Sequence, residues 1–201
     1  SNTLTLTGAS SYSGSTEIAG GALVISHNAP GTLAGAINGP GTLRIEPVGN
    51  DFTGTFSTSG WSFGSTLGGL TIGKASGADG TTDQAVTLAS ATSIAGAVTV
   101  YGSAVNVNAN LTSTLSGAAV LLKASGDILQ AASVDVSTNG GSATYWADSD
   151  SASGGRIELA AGTSTNTTSI ATSGGDIVLG GGTDPLTGYA NYTGATASAG
   201  V

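Results

Sequence analysis

The sequence predicts an all-β fold, a right-handed parallel β-helix (β-solenoid) of about eight irregular coils, and three observations predict it. First, an apolar–x–apolar triplet returns along the whole chain: Leu23/Ile25, Leu43/Ile45, Leu70/Ile72, Val98/Val100, Val120/Leu122, Ala143/Tyr145, Ile157/Leu159 and Ile177/Leu179. Their first positions are 20, 27, 28, 22, 23, 14 and 20 residues apart. Second, 34 of the 201 residues are glycine, with 5% aromatic and 8% charged, so few side chains are large enough to fill a wide core. The mean hydropathy of +0.22 is nevertheless too high for a disordered Gly/Ser chain. Third, no capped segment of 3.6-residue periodicity supplies the helix that a βαβ array needs between parallel strands.

In chain order, Leu4-Thr5-Leu6 is already strand-like, and Gly8–Ile25 (GASSYSGSTEIAGGALVI) sets the pattern that follows. Its glycines turn corners; Ile18, Leu23 and Ile25 alternate onto a dry face. Shorter strands are predicted between the triplets at Thr16–Ile18, Ala36–Ile37, Ala85–Leu88, Ser93–Ile94, Ala104–Val107, Gly126–Leu129, Ser133–Val136 and Ser169–Ala171. The clearest internal match sets Gly154–Leu159 against Gly174–Leu179, 20 residues on, and reads as a coil-to-coil repeat. Pro30, Pro40, Pro47 and Pro185 all fall outside strand interiors, where a missing N–H costs no ladder bond. Stacking coils at ~4.8 Å would build a rod about 40 Å long.

Three stretches break the rhythm and are expected to bulge from the rod: 49–68, 73–84 and 147–155. The whole of 1–201 reads as a single solenoid segment, uncapped at both ends and therefore expected to be part of a longer repetitive protein.

The charge balance, 12 acids against four bases for a net −8, argues against nucleic acid, whose binding needs clustered Lys and Arg. Cysteine is absent, so neither disulfides nor thiolate metal sites contribute. No apolar run approaches the roughly 20 residues that cross a bilayer, so no membrane insertion is expected in this segment.

Candidate chemistry is sparse. His27, the only histidine, follows a strand in a polar turn and lacks a Gly-x-Ser-x-Gly elbow. Asp148 and Asp150 are half of an Asp-x-Asp calcium loop without the closing glutamate, so turn-forming acids are the preferred reading and no cofactor is expected. Asp79, Asp83, Asp127, Asp148, Asp176 and Asp184 are scattered mainly in turns; only Asp127 and Asp176, each after a glycine, are candidates to stack on one edge of a polysaccharide-active site. Phe52, Phe56, Trp61, Phe63, Tyr145, Trp146, Tyr189 and Tyr192 are the conspicuous aromatics. Trp61, Phe63, Tyr145, Trp146, Tyr189 and Tyr192 form a candidate recognition surface if exposed, and core plugs where coils widen if not, the second being preferred. Thr3–Thr7 alternation suggests outward threonine ladders of an ice-binding kind, though no Thr-x-Thr recurs at every coil. Asn110, Asn166 and Asn191 match the N-glycosylation pattern, as chance allows in so Asn- and Thr-rich a chain.

The run Tyr12-Ser13-Gly14, then Thr16-x-Ile18, then Gly21-x-Leu23-x-Ile25 resembles the autotransporter-associated β-strand repeat. The later segments Leu70–Lys74, Ile94–Gly102, Asn106–Leu111 and Gly174–Pro185 are similar to large exoproteins related to filamentous haemagglutinin. These resemblances imply a β-helical passenger segment at the bacterial surface and carry over no catalytic residue. The expected function is therefore non-enzymatic: an adhesin stalk, filament or matrix scaffold, extracellular, self-assembling end to end or contacting glycans and proteins of host or neighbouring cells. A carbohydrate-binding or polysaccharide-active β-helix is the alternative, and an ice-binding solenoid a minor one.

Overall fold

The computed structural model describes residues 2–188 apart from 9–12, 32, 34, 76–83 and 153, and every regular element among them is a strand. In chain order these are β1 (Thr3–Leu6), β2 (Thr16–Glu17), β3 (Ala22–Ser26), β4 (Ile37–Asn38), β5 (Thr42–Glu46), β6 (Phe56–Ser57), β7 (Gly69–Ile72), β8 (Val86–Leu88), β9 (Thr92–Ile94) and β10 (Ala97–Gly102). The second half adds β11 (Val105–Val107), β12 (Leu111–Ser113), β13 (Val120–Ala124), β14 (Ile128–Gln130), β15 (Asp135–Thr138), β16 (Ala143–Ala147), β17 (Ile157–Leu159), β18 (Ser169–Ala171) and β19 (Ile177–Gly181). An eight-stranded sheet runs β1-β3-β5-β7-β10-β13-β16-β19, beside a five-stranded sheet β17-β14-β11-β8-β6, a four-stranded sheet β18-β15-β12-β9 and the pair β2-β4. All pairings are parallel, and sheet neighbours are separated in sequence by strands of the other faces. The chain leaves the long sheet, crosses the remaining faces and returns one rung on, which is the winding of a parallel β-solenoid.

Register accounts for the repeated triplet. Leu4, Leu23, Leu43, Leu70, Val98, Val120, Ala143 and Ile177 form one inward ladder, with steps of 19, 20, 27, 28, 22, 23 and 34 residues. Leu6, Ile25, Ile45, Ile72, Val100, Leu122, Tyr145 and Leu179 form the second. Because every strand repeats the same inward positions, like residues stack on like, and each buried aliphatic contributes about 1.5–3 kcal/mol.

One triplet belongs elsewhere. β17 pairs with β14, setting Ile157 opposite Ile128 and Leu159 opposite Gln130, so it lies in the five-stranded sheet. The likeness of Gly154–Leu159 to Gly174–Leu179 is therefore not a coil-to-coil repeat. Alternation marks a dry face without saying which side of the coil carries it.

The stretch 49–68 is likewise not wholly outside the stack. β6 pairs with β8, Phe63 bridges to Ile37, and Lys74 Nζ donates to the carbonyls of Val48 and Gly49 at 3.2 and 3.1 Å. Within 73–84, residues 76–83 lie outside the described residues. Residues 148–152 form a turn in which Asp148 and Ser151 take positive φ (51° and 54°). β12, in a segment for which no strand is predicted, sits between β9 and β15 with Leu111 and Ser113 facing inward.

The corner entering the long sheet carries a small residue on successive rungs: Gly21, Gly41, Gly68, Gly96, Ala118, Gly141 and Gly175. Here coils meet backbone on backbone. A Cβ placed on Gly96 would fall closer than 3.0 Å to the Gly68 carbonyl oxygen, one on Gly141 equally close to that of Ala118, and one on Gly175 to that of Gly141. Inward-turned hydroxyls satisfy three of these corners. Ser113 Oγ donates to Gly96 O at 2.8 Å, Thr138 Oγ1 to Gly141 O and Thr172 Oγ1 to Gly175 O. Buried serine and threonine are thereby paired rather than stranded.

The core is a continuous cluster from Ile18 to Ala147. In the step from Leu43 to Leu70, Phe52 and Phe56 stack at 5.0 Å between ring centroids, Phe56 meets Trp61 at 6.1 Å, and Trp61 stacks on Phe63 at 6.1 Å. In the longest coil, Tyr145 is fully buried and donates its hydroxyl to Gln130 Oε1 at 2.6 Å. Gln130 Nε2 in turn donates to the carbonyls of Val134 and Ser169 at 2.7 and 2.9 Å.

Candidate functional site

Of the six aromatics of the candidate recognition surface, the described ones divide into two core residues, Trp61 and Tyr145, and two half-buried ones, Phe63 and Trp146. Tyr145 is 0% and Trp61 5% exposed, so both are core residues. Phe63 is half-buried against Trp61. Trp146 is half-buried on the outer face of the long sheet, where Lys123 Nζ sits 4.3 Å from its ring centroid and its indole N–H donates to Gly182 O at 2.6 Å. Its ring is thus already engaged by a cation on the adjacent rung. Tyr189 and Tyr192 lie outside the described residues.

Three of the described acids act as turn caps. Asp148, 5% exposed, accepts from Gly154 N–H at 3.1 Å; Asp150 accepts from Ala152 N–H at 3.0 Å; Asp184 accepts from Leu186 N–H at 2.9 Å. Among the described residues no group of three or more His, Cys, Asp or Glu side chains is placed to hold a metal. Asp127 and Asp176 do not share an edge: Asp127 precedes β14 and receives the Arg156 N–H at 2.9 Å, whereas Asp176 precedes β19 and its carbonyl receives the Ala143 N–H. Arg156 reaches Asp127 at 3.5 Å and Glu158 at 2.9 Å, so this small charged group is an ion-pair cluster outside the coil. Asp79 and Asp83 lie outside the described residues. His27 Nδ1 accepts from Ala29 N–H at 3.1 Å, which spends the ring's acceptor on its own turn. Asn110 uses its amide oxygen to receive the Asp135 N–H at 3.0 Å, and Asn166 sits exposed in a turn closed by Thr163; Asn191 lies outside the described residues.

The outward ladder of the long sheet reads Thr5, Val24, Arg44, Thr71, Thr99, Leu121, Thr144 and Val178. Its threonines are interrupted by apolar residues and by Arg44, which pairs with Glu46 at 2.6 Å. This is not the flat, uncharged threonine array that an ice-facing surface requires.

The concave feature that sequence reasoning missed is a cleft of about 230 Å³ at the seam between two coils. The turn at Asn28–Pro30 forms one wall and the segment from Phe52 to Trp61 the other; Thr53 N–H donates to Asn28 O across the seam at 2.8 Å. No single motif marks it, because its walls come from residues more than 20 apart in sequence that register alone brings together.

No curated protein and no solved structure matches the chain. The resemblance read at Gly8–Ile25 is borne out for its own segment: residues 1–25, running from β1 into β3, match the family model of the passenger-associated-transport-repeat.

Proposed function

We propose that this chain is a non-enzymatic structural or adhesive segment of a secreted bacterial surface protein, a passenger rod displaying its sides to host or neighbouring-cell glycans and proteins. The observation that carries the reading is that the passenger-associated repeat at residues 1–25 supplies the first rungs of a sheet that the chain continues, in register, to Gly181. Three of the acids are consistent with it: Asp148 and Asp184 cap turns and Asp127 pairs with Arg156. Antibody raised against the folded chain should label intact cells of the source organism, and external protease should remove the signal. Labelling that requires permeabilisation would overturn the proposal.

End-to-end association of identical copies is a second reading, favoured by apolar residues on the outermost rungs. Leu4 is 62%, Leu159 39%, Ile177 48% and Leu179 50% exposed, while the same ladder positions inside the stack are 0–6%. Leu4 and Ile177 share one ladder and Leu6 and Leu179 the other, so β1 of one copy matches β19 of another in register. Sedimentation velocity should show concentration-dependent association that Leu179→Lys abolishes; a monomer at all concentrations would refute it.

A further inference from the structure

We propose that the seam cleft is a subsite for one neutral pyranose ring of a glycan. The proposal goes beyond the surface-segment reading, and its failure would leave that reading intact, because the latter rests on the repeat match and the continuous sheet.

The chemistry of the cleft selects the ligand class. Its floor is aromatic: the rings of Phe52, Phe56 and Trp61, held at centroid separations of 5.0 and 6.1 Å, present the little of their surface that is not packed in the core. With the rings 5–6% exposed this is a narrow apolar floor on which sugar C–H groups can rest, and it leaves orientation to the rim. The rim is neutral and hydrogen-bonding. Asn28 accepts from Val48 N–H at 2.8 Å through Oδ1, which fixes the amide orientation and leaves its NH₂ to donate. Ser57 Oγ accepts from Ser59 N–H at 3.1 Å and keeps its hydroxyl hydrogen to donate; Thr55 contributes an exposed hydroxyl.

Among the described residues, no titratable side chain lines the cleft. With a net charge of −8 on the chain, an anionic sugar meets repulsion and no compensating cation, so neutral units are favoured. The size agrees: about 230 Å³ lies below the roughly 300–1,000 Å³ that holds drug-sized ligands, and matches a single ring. The walls belong to neighbouring coils tied across the seam, so the subsite is preformed and pays little to order itself. A ligand of this size on a preformed shallow site binds in the millimolar range.

The test is an amide-resolved NMR titration of the folded chain with the methyl glycosides of glucose, galactose, mannose and N-acetylglucosamine, with methyl glucuronide as the charged probe. At least one neutral glycoside should shift amides within 28–31 and 52–61, with the rest of the spectrum unchanged. Thr55→Trp, which fills the cleft from an exposed position, should weaken binding by at least about tenfold. Asn28→Asp keeps the acceptor for Val48 N–H and removes the donor, so it should weaken binding several-fold and decides the matter if the tryptophan variant fails to fold. Absence of shifts with every neutral glycoside, persistence of the shifts in both variants, or equal binding of the glucuronide would overturn the proposal.

Discussion

Gly96→Ala is expected to cost about 4 kcal/mol or more, enough to unfold much of the stack, whereas Gly20→Ala should change stability by no more than about 0.5–1 kcal/mol. The contrast follows from position within the same kind of glycine-rich corner. A Cβ at Gly20 meets nothing within 4 Å, while one at Gly96 collides with the Gly68 carbonyl, which cannot withdraw without breaking register. Gly96 N–H also donates to Leu67 O at 3.0 Å, and Gly96 O receives Ser113 Oγ, so displacement of this corner breaks bonds to coils on both sides. In a stack whose stability is a sum of nearest-neighbour interfaces, a failed middle interface separates the array into two weaker halves. Urea unfolding followed by the fluorescence of Trp61 and Trp146, one on each side of the lesion, should show their transitions separating. A Gly96→Ala protein with an unchanged midpoint would refute the close-contact account.

Tyr145→Ala is expected to cost about 3–5 kcal/mol, since it empties core around a fully buried side chain and strands its polar partner. Tyr145→Phe isolates the polar part: Gln130 Oε1 loses its donor in a 1% exposed site, for about 1–3 kcal/mol. Burial raises the phenol pKa well above its ordinary 10.0, which yields a pH signature. Below that value the phenol is protonated in both states and its contribution is complete. Above it, the unfolded chain releases the proton while the folded one keeps it, so stability falls as pH rises, by up to about 1.4 kcal/mol per pH unit. Chemical denaturation between neutral and strongly alkaline pH should therefore decline more steeply for the parent than for Tyr145→Phe. Parallel declines would show that the hydroxyl is not buried.

The long sheet was legible because its signal is chemical and repeated: Leu23/Ile25 and Leu43/Ile45 are nearly identical rungs. What alternation does not encode is the side of the coil. Ile157 and Ile177 carry the same local pattern but pair with Ile128 and Ala143 on different sheets, and only the 34-residue length of that coil distinguishes them. β6 escaped notice because Phe56 lies in 49–68, where the rhythm breaks, and β12 because Leu111 stands alone among polar neighbours; both are identified as inward only by their rungs. Composition alone did not separate the aromatics that enter the core, Trp61 and Tyr145, from Trp146, which stays on the outer face against Lys123. The cleft was illegible for the opposite reason: it is made by juxtaposition of two unremarkable turns.

The parallel winding also decides how such a rod meets mechanical load. Strands run across its axis, and the bonds joining one rung to the next lie along it, as between β13 and β16. Tension drawn between the two ends therefore peels the terminal strand away a few bonds at a time, and each detached coil lengthens the tether before the next is loaded. The chain is expected to yield coil by coil, dissipating a pull as extension rather than transmitting it whole to whatever its flank is holding.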